Sequence, residues 1–279
     1  MENSAIEWCH HTFNPWRGCT KVSDGCKNCY AETMSRRNTK TLGMWGPSGT
    51  RVVASESQWR LPLKWDKAAK AAGERHRVFC ASLADVLEDW QGPMLNAKGE
   101  VLHRDEGKLD GNRPIGMFDM RRQLFETINA TPHLDWLLLT KRPENARRML
   151  PDRWLDIRWP HNVWMGTSVE NQSASDERIP HLLQIPAKVR FLSMEPLLGP
   201  VTVAAIGGIN WVIVGGESGQ HARPMSLEWA SSIRDHCRAA CVPFFFKQLG
   251  GRGDKGGKLE NIPENLRVRE FPKDIQSVN

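Results

Sequence analysis

From residue 76 onward, short apolar runs alternate with amphipathic stretches. The runs are Val78-Phe-Cys-Ala-Ser82, Trp136-Leu-Leu-Leu-Thr140, Val163-Trp-Met-Gly-Thr167, Val189-Arg-Phe-Leu-Ser193, Trp211-Val-Ile-Val214 and Pro243-Phe-Phe-Phe246. Unbroken apolar runs of this length mark strands buried on both faces. Between them, a helical period predicts helices over Met117–Asn129, Asn145–Met149, Asp176–Gln184 and Leu227–Ala240. Strand–helix alternation predicts a parallel sheet with right-handed crossovers. An extended stretch over Ile6–Trp16 adds a first strand, giving about seven βα units. The expected fold class is α/β: a single-domain parallel (βα)6-7 barrel, TIM-like, complete or incomplete, rather than an open doubly wound sheet.

The N-terminal part is less regular. Ala31–Arg37 reads as a helix with Arg36 and Arg37 near its C-terminal end, where cations suit the helix dipole. Leu61–Ala72 reads as a helix with Pro62 in its first turn and Gly73 ending it. Residues 91–116 break the rhythm with turn formers and read as an insertion. Within it, Met94–Asn96 and Val101–His103 are placed to pair as a hairpin across Ala97–Glu100. Following a strand's C-terminal end, it would overhang the active face of a barrel, as a substrate loop or as plain surface. Residues 250–258 hold five glycines with Arg252 and Lys255, a basic loop.

Composition narrows the class. The 279 residues fit one barrel, and 40% hydrophobic with 25% charged residues is globular, not disordered. No apolar run reaches 18 residues, so no membrane span is expected. The start, Met1-Glu-Asn-Ser4, lacks the basic-then-apolar pattern of a secretion signal. Seven cysteines, an odd number with three clustered, suit a reducing cytoplasm better than a disulfide scaffold. A net charge of +6 is compatible with a nucleic-acid partner without demanding one.

The densest chemistry lies in the loop over residues 18–30, where Cys19, Cys26 and Cys29 stand at the spacing C-x6-C-x2-C. Gly18 and Gly25 each precede a cysteine and allow tight turns. Lys21 and Lys27 would favour thiolate, the ligating form. Three readings stay open. A cluster of iron and sulfide takes thiolates, and three of them leave one iron open. Structural zinc needs a fourth ligand, from Cys9, His10, His11 or elsewhere. The third reading is three unligated cysteines.

Parallel α/β folds bind ligands at the C-terminal ends of their strands. Those positions here are Ser82 and Asp85; Thr140, Lys141 and Arg142; Ser168, Glu170 and Asn171; Ser193 and Glu195; Glu217 and Ser218, with Arg223 beyond; and Lys247 and Gln248. Charges at the ends of apolar strands predict a polar cavity. Cys237 and Cys241, four apart on a helix, read as core packing.

Gly18-Cys19, Gly25-Cys26-Lys-Asn-Cys29-Tyr-Ala31, Trp211–Gly219, Ala222–Met225 and Pro243–Gln248 together resemble a three-cysteine-motif family of unknown function found in phages and prophages. At longer range, Cys26-x-x-Cys29-Tyr30-Ala31 is similar to the radical S-adenosylmethionine (SAM) enzymes, particularly their photoproduct-lyase-like branch. That family's usual first gap is three residues where this chain has six, and Asn28 stands where an aromatic often precedes the third cysteine. The resemblance implies a 4Fe–4S cluster on Cys19, Cys26 and Cys29, SAM on its open iron, an electron donor, and zinc only as the alternative. It also implies a SAM-binding set drawn from Ser82, Asp85, Ser168, Glu170, Gly215, Gly216 and Glu217. Gly215-Gly216-Glu217 carries the letters with which that family holds the ammonium of SAM, yet follows about the sixth strand. In the family the element follows the second, where this chain has Ser82 and Asp85. Lys141, Glu195 and Lys247 are the candidate catalytic groups. A nucleic acid or nucleotide is the expected substrate. The competing class is a non-catalytic, zinc- or cluster-stabilised nucleic-acid-binding phage protein.

Overall fold

The computed structural model describes residues 4–103, 113–204, 206–252 and 257–273. The chain is α/β, built mainly of parallel strands and the helices between them. It forms two compact units, interleaved in sequence. One holds Met1–Ser4, Cys9–Leu139 and Asn145–Val163; the other holds Ala5–Trp8, Thr140–Glu144 and Trp164–Asn279.

In the first unit, β1 (His11–Phe13), β4 (His76–Cys80) and β6 (Leu134–Thr140) run parallel. His11 faces Val78, and His76 faces Leu134. A small sheet joins β2 (Trp16–Arg17), antiparallel, to β3 (Arg51–Val53), which pairs in parallel with β5 (Met94–Leu95). Three short helices, α1 (Tyr30–Ser35), α2 (Thr39–Leu42) and α3 (Glu56–Trp59), surround it in sequence. α4 (Leu61–Ala72) has the predicted bounds, and it buries Pro62, Trp65 and Ala69 on one stripe. Gly73 ends it at φ 67°, a left-handed turn that glycine enters without a Cβ clash. α5 (Met117–Asn129) also has its predicted bounds, and α6 (Ala146–Met149) follows β6. The expected hairpin is present: Leu95 bridges Val101, and the Asn96 and Gly99 N–H groups donate to Glu100 and Asn96 carbonyls. Residues 104–112 of the insertion and 253–256 of the basic loop lie outside the described residues.

In the second unit, β7 (Val163–Ser168), β8 (Val189–Met194), β9 (Trp211–Gly215) and β10 (Phe244–Gln248) run parallel, with Phe191 opposite Trp211 and Phe244 opposite Val212. All are buried along most of their length, as their apolar runs require. α7 (Gln172–Leu183) starts a turn before the expected Asp176, because the Asn171 side chain accepts the Ala174 N–H at 3.0 Å and caps it. α8 (Leu227–Ala239) matches its predicted span to within a residue.

The tryptophans fill the cores. Trp211, fully buried on β9, meets the rings of Trp8, Trp164 and Phe245 edge-on at 6.1–6.2 Å. Such pairs contribute roughly 0.5–1.5 kcal/mol each beyond area burial. No helix of the described residues is long and apolar enough to cross a membrane.

Candidate functional site

The cysteine loop connects β2 to α1. Its first residue, Gly18, sits at φ 105°, and a Cβ there would lie 2.4 Å from the Thr50 carbonyl oxygen. Only glycine lets the loop lie this close to β3. The Gly18 N–H donates to Leu83 O at 3.0 Å, and the Tyr30 hydroxyl donates to Ser82 O at 2.8 Å. Asn14 bonds to Ser82 Oγ and, through Oδ1, to the Leu83 N–H. The loop is thus tied at both ends to the segment after β4, where Ser82 and Asp85 lie. Asp85, buried, accepts the Leu87 N–H through Oδ1.

Behind Cys19 is a group that the sequence reading did not single out. Arg51 and Glu88 form an ion pair whose side chains are 0% and 2% exposed. Arg51 donates to both Glu88 oxygens at 2.8 Å, to Thr20 Oγ1 at 2.9 Å and to Thr50 O at 3.1 Å. Its guanidinium lies 4.9 Å from the centre of the Trp90 ring. Glu88 accepts the Thr20 N–H at 2.7 Å. The Cys19 carbonyl accepts the Gly46 N–H at 2.9 Å. Cys19 is therefore flanked by fixed backbone. Its only sequence signal was a charge, Arg51, opening the apolar run Arg-Val-Val-Ala54.

Cys26 ends a 3-10 turn over Asp24–Cys26, and Cys29 caps α1. Lys21, expected to act on the thiols, is instead 2.6 Å from Glu32 and also donates to Lys27 O. Burial raises the Glu32 pKa, but hydrogen bonds from Lys21 and Arg36 outweigh it and hold the carboxyl below its ordinary value.

The donor set suits an iron–sulfur cluster chemically: three soft thiols on one loop, all half-buried and none in a disulfide. The sulfurs do not converge, because among the described residues no three His, Cys, Asp or Glu side chains stand close enough to hold an ion. The proposed fourth zinc ligands are engaged elsewhere. His10 Nδ1 accepts the Arg77 N–H at 2.8 Å, His11 Nε2 lies 3.1 Å from His76 Nδ1, and Cys9 is buried. Burial, aided by Arg77 and His76, lowers the His10 pKa to about 4.

In the second unit the predicted strand-end charges meet one another. Lys247 bonds to Glu195. Arg223 holds both oxygens of Glu217, through Nε at 2.9 Å and Nη2 at 2.5 Å, and its N–H adds a third bond. Glu170, 1% exposed, takes Arg178 at 2.8 Å and Lys141 at 3.7 Å. Ser168, buried, gives its carbonyl to Arg178. Gly216 is required by packing, since a Cβ there would lie 1.9 Å from Leu249 O; at Gly215 it would lie 3.3 Å from Glu195 Cγ. Each of these three carboxylates is thus paired with at least one cation. Cys237 is buried, which pushes its thiol up to about 12, as expected of core packing. Cys241 is exposed and is not part of the core.

The family described as protein of unknown function DUF5131 matches residues 3–93 and 116–271. The chain belongs to that family, in keeping with the resemblance to a family of unknown function. Residues 94–115 fall between the two matched segments. Comparison with curated proteins and with solved structures gives no match.

Proposed function

We propose that this DUF5131 member is an iron–sulfur enzyme of the radical SAM kind, built on an incomplete TIM-like barrel and acting in the cytoplasm on a nucleic acid or nucleotide. The observation that carries the reading is the cysteine loop: three half-buried thiols, none in a disulfide, on a loop that Gly18 and Tyr30 tie by hydrogen bonds to the segment that follows β4. Cys19, Cys26 and Cys29 would hold a 4Fe–4S cluster. When bound, such a cluster supplies an open iron and, with an electron donor, the reducing electron for SAM cleavage.

The chain's own groups then divide the work. Ser82 and Asp85, on the segment tied to the loop, would orient SAM, with Asp85 taking its ammonium. Glu217 is the weaker candidate for that role, because Arg223 occupies both of its oxygens. The partly buried Lys247–Glu195 pair can hold and pass a proton between Nζ and a carboxylate oxygen. Lys141 steadies Glu170. The zinc-stabilised module has less support, because His10 and His11 are hydrogen-bonded to Arg77 and His76 of β4.

Protein purified without oxygen should be brown, with close to four irons and four sulfides per chain. Alanine at Cys19, Cys26 or Cys29 should remove the colour, and at Cys237 should leave it. Asp85→Asn should weaken SAM binding with the cluster retained, and Glu217→Gln should not. Stoichiometric zinc and no visible absorption from iron-replete cells would sink the enzyme reading.

A further inference from the structure

The first unit contains a cavity of about 970 Å3 beside the cysteine loop. Its wall includes Arg17, the residue immediately before Gly18-Cys19, together with Gln58, Trp59, Lys98, Leu102 and Met120. The volume is that of a site for an organic ligand, well beyond a bare ion.

Arg17 is the telling residue. It is half-buried, and its Nη2 donates to the Gln58 amide oxygen at 2.8 Å. No ion pair joins it to a carboxylate among the described residues, unlike Arg51, Arg178 or Arg223. A guanidinium in that state favours an anion, and its planar fork matches a phosphate. Lys98, exposed at the tip of the 94–103 hairpin, adds a second cation on the same wall. One carboxylate, Glu56, also lines the cavity; it is 90% exposed and turned to Arg60 at 3.5 Å.

The rest of the wall is apolar and aromatic. The Trp59 indole, held edge-on by Phe13 at 5.2 Å, has an Nε1 with no hydrogen-bond partner among the described residues. Leu102 and Met120 complete a surface for a flat, mostly apolar body. An anion joined to a planar ring is the chemistry of a nucleotide. Lys98 and Leu102 come from the segment between the two family-matched stretches, whereas Arg17, Trp59 and Met120 lie within them.

We propose that this cavity binds a nucleotide, with its phosphate on Arg17 and Lys98 and its base along Trp59, Leu102 and Met120, and that the 94–103 hairpin selects which base is taken. The assignment rests on the proposed function only for the substrate class, not for the cluster.

Isothermal titration of the full chain with AMP, GMP, CMP and UMP tests it, with the matching nucleosides and inorganic phosphate as further arms. At least one nucleotide should saturate the protein at micromolar concentration, and its nucleoside should bind about tenfold or more weaker. Arg17→Gln should give the same loss and Arg17→Lys a smaller one. Trp59→Leu should weaken the nucleotide without changing phosphate, Lys98→Ser should weaken all four nucleotides alike, and Leu102→Ala should reorder them. A variant with serine at Cys19, Cys26 and Cys29 should keep nucleotide affinity, so the cavity stands or falls apart from the cluster. The proposal is overturned if no nucleotide saturates at millimolar concentration, if nucleoside and nucleotide bind alike, or if the triple-serine variant loses binding. Binding of a short single-stranded oligonucleotide where every mononucleotide fails would also overturn it, and would give the cavity to a strand.

Discussion

The Arg51–Glu88 pair behind the cysteine loop and the Lys247–Glu195 pair at the strand ends of the second unit are the same chemistry in two settings. The first is 0% and 2% exposed, and it carries Thr20 on both its partners. The second is 19% and 16% exposed and joins two strand ends. A pair without water must satisfy every lone pair and donor internally, so it becomes a fixed hub for whatever backbone it holds. A pair that water reaches can open, exchange a proton or accept another ion at small cost. The buried pair is therefore architecture for the loop, and the wetter one is available for chemistry.

The comparison is broken most easily at Glu88. Glu88→Leu leaves the Arg51 guanidinium buried without its partner and should cost about 3–5 kcal/mol in urea unfolding. Adding Arg51→Met should recover much of that loss while leaving the Thr20 N–H without its acceptor. A single-variant loss below about 1 kcal/mol would show that the hub is not buried as described.

Gly18→Ala asks whether the loop's closeness to β3 matters as much as the hub. The new Cβ would meet the Thr50 carbonyl oxygen at 2.4 Å at a positive φ. A loss of about 2 kcal/mol is expected, since strain at a left-handed position adds to the clash. An unchanged melting midpoint would mean that the loop is free to shift.

Acid sharpens the comparison within the first unit. His10 has a folded pKa of about 4 against an ordinary 6.5, so the unfolded chain binds more protons between those values. Its contribution is complete above pH 6.5 and is lost as pH falls toward 4. His10→Gln should flatten that part of the stability–pH curve, and an unchanged slope would remove His10 as its source. The half-exposed ring makes this a smaller effect than the first two.

The smallest effect belongs to the wetter pair. Lys247→Met should cost about 1 kcal/mol or less, and less still in high salt. A loss as large as that of Glu88→Leu would erase the distinction.

The long elements were legible because burial leaves a local trace. β6 to β10 are buried on both faces, and their apolar runs say so; α4, α5 and α8 carry an amphipathic period and recognisable ends. Strands of two or three residues carry no period, which is why β2 and β3 escaped, along with the short helices α2 and α3. The cysteines were legible by spacing, and the hairpin at Asn96–Glu100 by its turn residues.

What the sequence determined by itself is thus the local order: which segments are strands or helices, where the thiols lie, and which residues follow each strand. The tertiary structure alone decided which charges are spoken for. Arg51 meets Glu88 across 37 positions, and Lys247 meets Glu195 across 52, while Arg17, one residue from the cysteine loop, meets the Gln58 amide across 41. Periodicity reports burial because the solvent acts on every residue in turn, whereas an ion pair depends on two distant segments arriving at one place. No local pattern records that meeting.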